Sequence, residues 1–187
     1  MERGAMEPGG VEQGVTTRPG LNLRLARPED NAAIRNLIYA AFQNHPHHAP
    51  GALPSEHLMV DRLRADGALT LSLAAERNGT PVGHLAVSPV RIGDGTANWF
   101  GLGPVAVAPR HQRLGIGSAL VRHCLQVLRQ QGAAGLVVLG EPHFYERFGF
   151  RQYPQLVLPG IPAVYFMAMP LGGSLASGAV TYHPAFL

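Results

Sequence analysis

Between Leu102 and Leu128 the chain reads LGPVAVAPRHQRLGIGSALVRHCLQVL, and this stretch restricts the fold more than any other. Val105-Ala106-Val107 has the character of a strand, and Pro109 with Arg110, His111 and Arg113 forms a basic turn. Gly115-Ile116-Gly117-Ser118 then opens a helix, in which Ile116, Leu120, Cys124, Val127 and Leu128 recur at helical spacing. A glycine-rich strand-to-helix turn leaves the first backbone N–H groups of the helix without internal partners. With the positive end of the helix dipole, those donors seat phosphate oxygens. A Cβ at such positions would hold an anion away from the backbone. The turn reads as an anion site.

Two familiar phosphate loops are excluded. A dinucleotide fingerprint needs a third glycine where this chain has Leu120, and a nucleoside-triphosphate loop needs a lysine that is absent. What remains is Gln112-x-x-Gly115-x-Gly117 directly after a strand. This resembles the pyrophosphate-binding motif of the GNAT (GCN-five-related N-acetyltransferase) superfamily, Gln/Arg-x-x-Gly-x-Gly/Ala. Further on, after a predicted strand over Leu136 to Leu139, His143-Phe144-Tyr145-Glu146-Arg147-Phe148-Gly149-Phe150 resembles the closing motif of the same family. Val138-Leu139-Gly140-Glu141-Pro142 before Phe144-Tyr145, and the ending Val180-Thr181-Tyr182-His183-Pro184-Ala185-Phe186, are most similar to the YhbS-type bacterial acetyltransferases. The resemblance runs from Leu21 to the C-terminus.

It implies an α/β (α+β) fold: a single domain over 21–187, with a mixed, mostly antiparallel twisted sheet of about seven strands flanked by about four helices. It implies an acyl-CoA-dependent N-acyltransferase, of the class that transfers groups other than amino-acyl, with acetyl-CoA as cosubstrate and a primary amine as acceptor. The main chain of Leu114, Gly115, Ile116, Gly117 and Ser118 would anchor the pyrophosphate, with Arg110 or Arg113 adding charge and Gln112 shaping the loop. Val105, Ala106 and Val107 would pair with the pantetheine arm as a sheet edge pairs with an added strand, and an N–H near Val105 would face the thioester oxygen. Tyr145 corresponds to the tyrosine the family places at the sulfur, as proton donor to the thiolate or as a hydrogen-bond positioner; a packing role among Phe144, Phe148 and Phe150 is the alternative. No serine or cysteine sits in a nucleophile-like context, which favours direct attack by the amine. The rival from another class is an acyl-CoA-binding sensor that has lost turnover. Transfer to an oxygen or to a protein lysine is a second rival.

The proton acceptor is less determined. Alkylamines have a pKa near ~10, so a proton sink is needed at neutral pH. Glu141, at the end of a strand, is the first candidate, acting through a water; an acid that merely stabilises a helix N-terminus is the alternative, and it explains the residue better. His143 and His84 follow. His45, His47 and His48 invite a metal, yet no carboxylate or cysteine shares their spacing, and a polar loop beside the acceptor site is the better reading. No metal is expected.

At 187 residues one domain is expected. The charged fraction is only 14% and the net charge +3, without a Lys/Arg tract, which argues against a nucleic-acid surface and mildly favours anionic small ligands. No apolar run approaches the ~18 residues of a membrane helix. The single cysteine, Cys124, rules out an internal disulfide framework and sits on the apolar stripe of its helix. These features point to the cytoplasm, and the resemblance implies a small-molecule or peptide amine as partner and a monomer or homodimer.

In order along the chain, Met1 to Gly20 has no periodicity and reads as a disordered extension. Leu21, Leu23 and Leu25 alternate as a first strand, and Pro28-Glu29-Asp30 starts a helix with Ile34, Leu37, Ile38, Ala41 and Phe42 on one face. Ser55 caps a second helix, with Leu58, Met59 and Leu63 inward. Leu69 to Ala75 and Val82 to Ile92 form a hairpin across Asn78-Gly79. Pro104 cannot donate to a ladder and marks an edge or a bulge. Ser88-Pro89 and Asn98-Trp99 are pocket-lining candidates that a turn and a core aromatic explain as well. Leu156 to Leu158, Val164 to Met169 and Ala179 to Tyr182 are the last strands expected.

Overall fold

Alternating apolar residues build most of the sheet, and glycines set its turns. The computed structural model describes residues 15–43, 45–46 and 48–187. Its elements are β1 (Val15–Arg18), β2 (Leu21–Leu25), α1 (Asn31–Phe42), α2 (Glu56–Ala65), β3 (Leu71–Arg77), β4 (Thr80–Pro89), β5 (Arg91–Ile92), β6 (Trp99–Val107), α3 (Ile116–Gln130), β7 (Gly135–Leu139), α4 (Pro142–Tyr145), β8 (Leu156–Val157), β9 (Phe166–Pro170) and β10 (Gly178–Thr181). Seven strands form one sheet in the order β1-β2-β3-β4-β6-β7-β9, and β5-β10-β8 form a small second sheet. In the large sheet β6 and β7 run parallel and the other neighbours antiparallel. This is the mixed α/β architecture expected from the sequence.

Some boundaries are corrected. Val15–Arg18, expected within a disordered extension over 1–20, is instead the edge strand β1, paired with β2 across a turn where Gly20 takes φ +77°. The rest of that expectation, Met1 to Gly14, lies outside the described residues. The strand expected from Val82 to Ile92 breaks at Val90, so β5 leaves for the second sheet. Helix α2 turns His57, Val60 and Leu63 inward, where Leu58 and Met59 were expected, because His57 packs edge-on against Tyr39 of α1 at 5.4 Å.

The sheet is covered on both faces. Helix α3 covers one, with Ile116, Leu120, Val121, Cys124, Leu125, Val127 and Leu128 buried against Leu73, Leu85, Leu102 and Val138. Burial pushes the Cys124 thiol up to about 12, which makes it a packing residue. The opposite face carries α1 over Ala86 and Ala106, and the second sheet over Trp99 and Val137. Trp99 fills the space a side chain at Gly135 would need: a Cβ there would lie 2.5 Å from its ring. It is a core aromatic.

Candidate active site

A split in the sheet makes the site. β6 pairs with β7 from Trp99 to Leu102, and the pairing then stops. On its other side β6 continues against β4 as far as Val107. Between Leu85/Val87 and Leu102/Val105 the register slips, with Gly103 and Pro104 as the bulge that re-aims the strand. Pro104 therefore marks a bulge, one of the two places a proline fits in a sheet.

The ladder shows which main-chain groups face the gap. Ala108 N–H donates to the Val82 carbonyl at 2.9 Å, and Ala106 lies opposite His84. Bonded and non-bonded pairs alternate along an antiparallel ladder. Ala106 thus turns its N–H and C=O to β4, whereas Val105 and Val107 turn theirs toward the gap. Ala106, expected among the cofactor-binding residues with its neighbours, presents no main-chain group there. A cavity of about 430 Å³ flanks these residues, walled on the far side by Phe42, Gln43, His45 and Pro46 at the end of α1.

At the end of β6 the loop expected to seat an anion leads into α3 (Ile116–Gln130). Gln112 Nε2 donates to the Val107 carbonyl at 3.1 Å and ties the loop to the strand. Arg113 and Gly115 both take left-handed backbone, φ +62° and φ +79°, which swings the chain round into α3. The first helical bond of α3 runs from Ala119 N–H to the Gly115 carbonyl at 3.0 Å, so Ile116, Gly117 and Ser118 present N–H groups without a helical acceptor. From Ala108 to Ser118 the loop has no carboxylate, while Arg110 and Arg113 are exposed; Leu114 lies at its tip, 46% exposed. A Cβ at Gly117 would meet Phe144 and Val107 only at 3.6 and 3.7 Å, an ordinary contact. The fold itself does not require glycine there, although an anion close to the backbone does.

Tyr145 stands at the end of α4, just beyond β7, with its ring against Gly140, where a Cβ would lie 2.5 Å from Cε2. Phe144 and Phe150 meet it edge-on at 4.9 and 5.8 Å. Burial pushes its phenol well above the usual tyrosine range, so it stays protonated at any working pH. Glu141 is exposed and caps α4, its carbonyl accepting from Tyr145 N–H at 3.2 Å. His143 is exposed on the same turn.

His84 is removed from the candidate bases. It is fully buried, its Nε2 is 2.9 Å from Ser72 Oγ, and burial drives it down to about 3. Such an imidazole takes up no proton at neutral pH. Among the described residues no cluster of metal-binding side chains is present. His48 pairs with Glu56 at 2.7 Å and His45 lines the cavity, while His47 lies outside the described residues. Asn98 takes φ +66° and its side chain donates to the Gly132 carbonyl, so it serves a turn.

Reasoning from the sequence did not find the wall made by Phe42, Gln43 and Pro46, nor the depth at which Tyr182 is set. The first follows from where α1 stops, and the second from packing between two sheets.

The chain as a whole is similar to known proteins. The model of the Acetyltransferase (GNAT) family matches residues 31–150. The uncharacterized N-acetyltransferase YhbS of Escherichia coli (strain K12) is 31% identical over 171 residues, 88% of this chain and 97% of that one. Among solved structures, a GNAT family acetyltransferase from Brucella melitensis in complex with acetyl-CoA is 42% identical with a TM-score of 0.76, covering 89% of this chain and 97% of its own. YhbS from Escherichia coli in complex with CoA superposes with a TM-score of 0.79 at 29% identity, covering 96% and 95%.

Proposed function

Because the chain belongs to the GNAT family of acetyltransferases, we propose that it transfers the acetyl group of acetyl-CoA to a primary amine by direct attack. The observation that carries this reading is the split beyond Leu102, with the Val105 N–H turned into it and the α3 N-terminus at its outer end. The residues fit the cosubstrate: open N–H groups and arginines for the pyrophosphate, and a β6 edge that β7 leaves after Leu102 for the amide-rich arm. Acetyl-CoA, when bound, supplies the activated carbonyl.

Each part of the chain then has a task. Ile116, Gly117 and Ser118 hold the phosphate oxygens, and Gln112 keeps the loop against β6. Val105 and Val107 fix the arm in register. The Val105 N–H donates to the carbonyl oxygen as charge builds on it, a contact of the kind whose removal costs ~3 kcal/mol of activation energy. Glu141 takes the amine proton through a water, and Tyr145 gives its proton to the departing sulfur. The N–C bond forms, the C–S bond breaks, and the proton passed through Glu141 and solvent restores Tyr145. His143 is the second choice for the proton sink. The comparisons lend no support to a sensor without turnover.

The test is release of free thiol from acetyl-CoA across a panel of amines, polyamines and peptides, with intact-mass measurement of the protein. The expected result is amine-dependent release with an acetylated product and no mass added to the enzyme. An acetylated enzyme that forms and decays at the rate of turnover would replace direct attack with a covalent route.

A further inference from the structure

The end of α1 and the segment after it wall the cavity beside Val105 and Val107, and the steps above leave that wall without a task. α3, whose N-terminus seats the phosphates, lies on one face of the sheet, and α1 lies on the other. With acetyl-CoA anchored from the α3 side, an amine reaches the thioester carbon from the α1 side. The wall is placed to meet the acceptor.

Its chemistry is narrow. Ala40, Ala41, Phe42, Gln43, His45 and Pro46 supply the α1 side of the cavity. From Asn36 to Ser55 the sequence holds no aspartate, glutamate, lysine or arginine, so this whole segment brings no carboxylate to a ligand. Across the cavity, Val105 to Gln112 add none either. Ser88, a pocket-lining candidate from the sequence, is fully buried on β4 and stands outside this wall.

The wall is also ringed and braced. The half-buried Phe42 ring lies 5.2 Å from His45 and is stacked at 6.4 Å on His48, and the two imidazoles are 5.6 Å apart. His48 Nε2 is held by Glu56 at 2.7 Å, at the start of α2. Glu56 also accepts from Ser55 N–H at 3.0 Å, so its carboxylate is committed within the protein. A flat aromatic wall fixed in this way favours a ring laid against it. An ammonium group set against it loses hydration and gains no counter-charge. The reacting nitrogen gives up its proton toward Glu141, but a second charged nitrogen finds no partner in the wall.

We propose that the acceptor is a monoamine with an aromatic body, an arylalkylamine in chemical class, and that Phe42 selects it by stacking on its ring. The bonds made and broken are those given above: N–C forms, C–S breaks, and the amine proton leaves through Glu141. This inference rests on the acetyl transfer proposed above.

The test is thiol release at saturating acetyl-CoA with benzylamine, propylamine and spermidine as acceptors. For the wild type, kcat/KM with benzylamine should exceed that with propylamine and with spermidine by about tenfold or more. Phe42→Leu keeps an apolar side chain against Ile34, Ile38 and Ala106 and removes the ring. It should narrow the benzylamine-to-propylamine ratio to about threefold or less, chiefly through KM for benzylamine. Spermidine or propylamine used as well as benzylamine, or an undiminished ratio in folded Phe42→Leu, would overturn the inference and leave acetyl transfer standing. The wild-type panel alone decides the class of acceptor. No thiol release with any of the three amines would remove the transfer to amines, and the inference with it.

Discussion

Gly117 has room for a side chain in the folded protein, with its nearest neighbours at ordinary contact distance. Its substitutions therefore separate folding from binding. Gly117→Ala should keep or slightly raise stability, by about 0.5–1 kcal/mol, because alanine restricts the unfolded chain more than glycine. It should still weaken acetyl-CoA binding, since the methyl group holds the pyrophosphate off the backbone. Gly117→Asp adds a carboxylate facing the phosphates and should remove binding altogether. Thermal melts and acetyl-CoA titrations of the two variants check this; a destabilised Gly117→Ala would mean that the glycine serves the fold. Residues of this kind are legible in a sequence because their chemistry is local: a left-handed turn, a free N–H and a nearby glycine lie within a few positions. The places of Gln112 against β6, of Gly115 in a left-handed turn and of Tyr145 just past β7 were legible in the same way. Tyr182, Ser88 and the neutral His84 were not, because their state depends on partners brought in from other strands.

Arg24 shows what the element scale adds. From β2 it bonds Asp30, ahead of α1, at 2.6 and 3.0 Å, and Glu76 of β3 at 2.8 and 2.5 Å. Asp30 also accepts from Arg27 N–H at 2.7 Å and so caps the turn that starts α1. The clamp fixes the angle at which α1 leaves the sheet, and α1 supplies the far wall of the cavity. Hydrogen bonds and the guanidinium charge of Arg24 hold the Asp30 carboxyl below its usual range. Arg24→Met strands that buried carboxylate and should cost about 3 kcal/mol, more than Asp30→Asn, which leaves Arg24 paired with Glu76. Because the folded carboxyl is depressed, its contribution is fully present above the unfolded value near ~3.9 and fades as pH falls through the folded one. Urea unfolding of wild type and Asp30→Asn should thus differ most near neutrality and converge below about pH 4. A gap that is constant with pH would place the stabilisation elsewhere. The same scale explains the boundary errors. The stretch from Val82 to Ile92 reads as one strand, but β4 ends at Pro89, which has no N–H for a ladder, and Arg91–Ile92 beyond it pair with distant β10 in the second sheet.

In the whole molecule, one parallel pair inside an otherwise antiparallel sheet creates the site. β6 and β7 are joined through α3, so they run parallel, and nothing after Leu102 obliges them to stay together. The bulge at Gly103 and Pro104 turns β6 away along β4, α3 caps the gap with its N-terminus, and α4 sets a phenol at the end of β7. The motifs revealed this plan because they mark the strand end, the helix start and the tyrosine that frame the gap. They did not reveal the far wall of the cavity, which comes from the end of α1. No helix among the described residues is long and apolar enough to cross a membrane. Calorimetric titration of the purified chain with acetyl-CoA in metal-free buffer tests the central claim most directly. The account predicts saturable binding at one site per chain, abolished in folded Gly117→Asp. Absence of binding in folded wild-type protein, or undiminished affinity in Gly117→Asp, would contradict it.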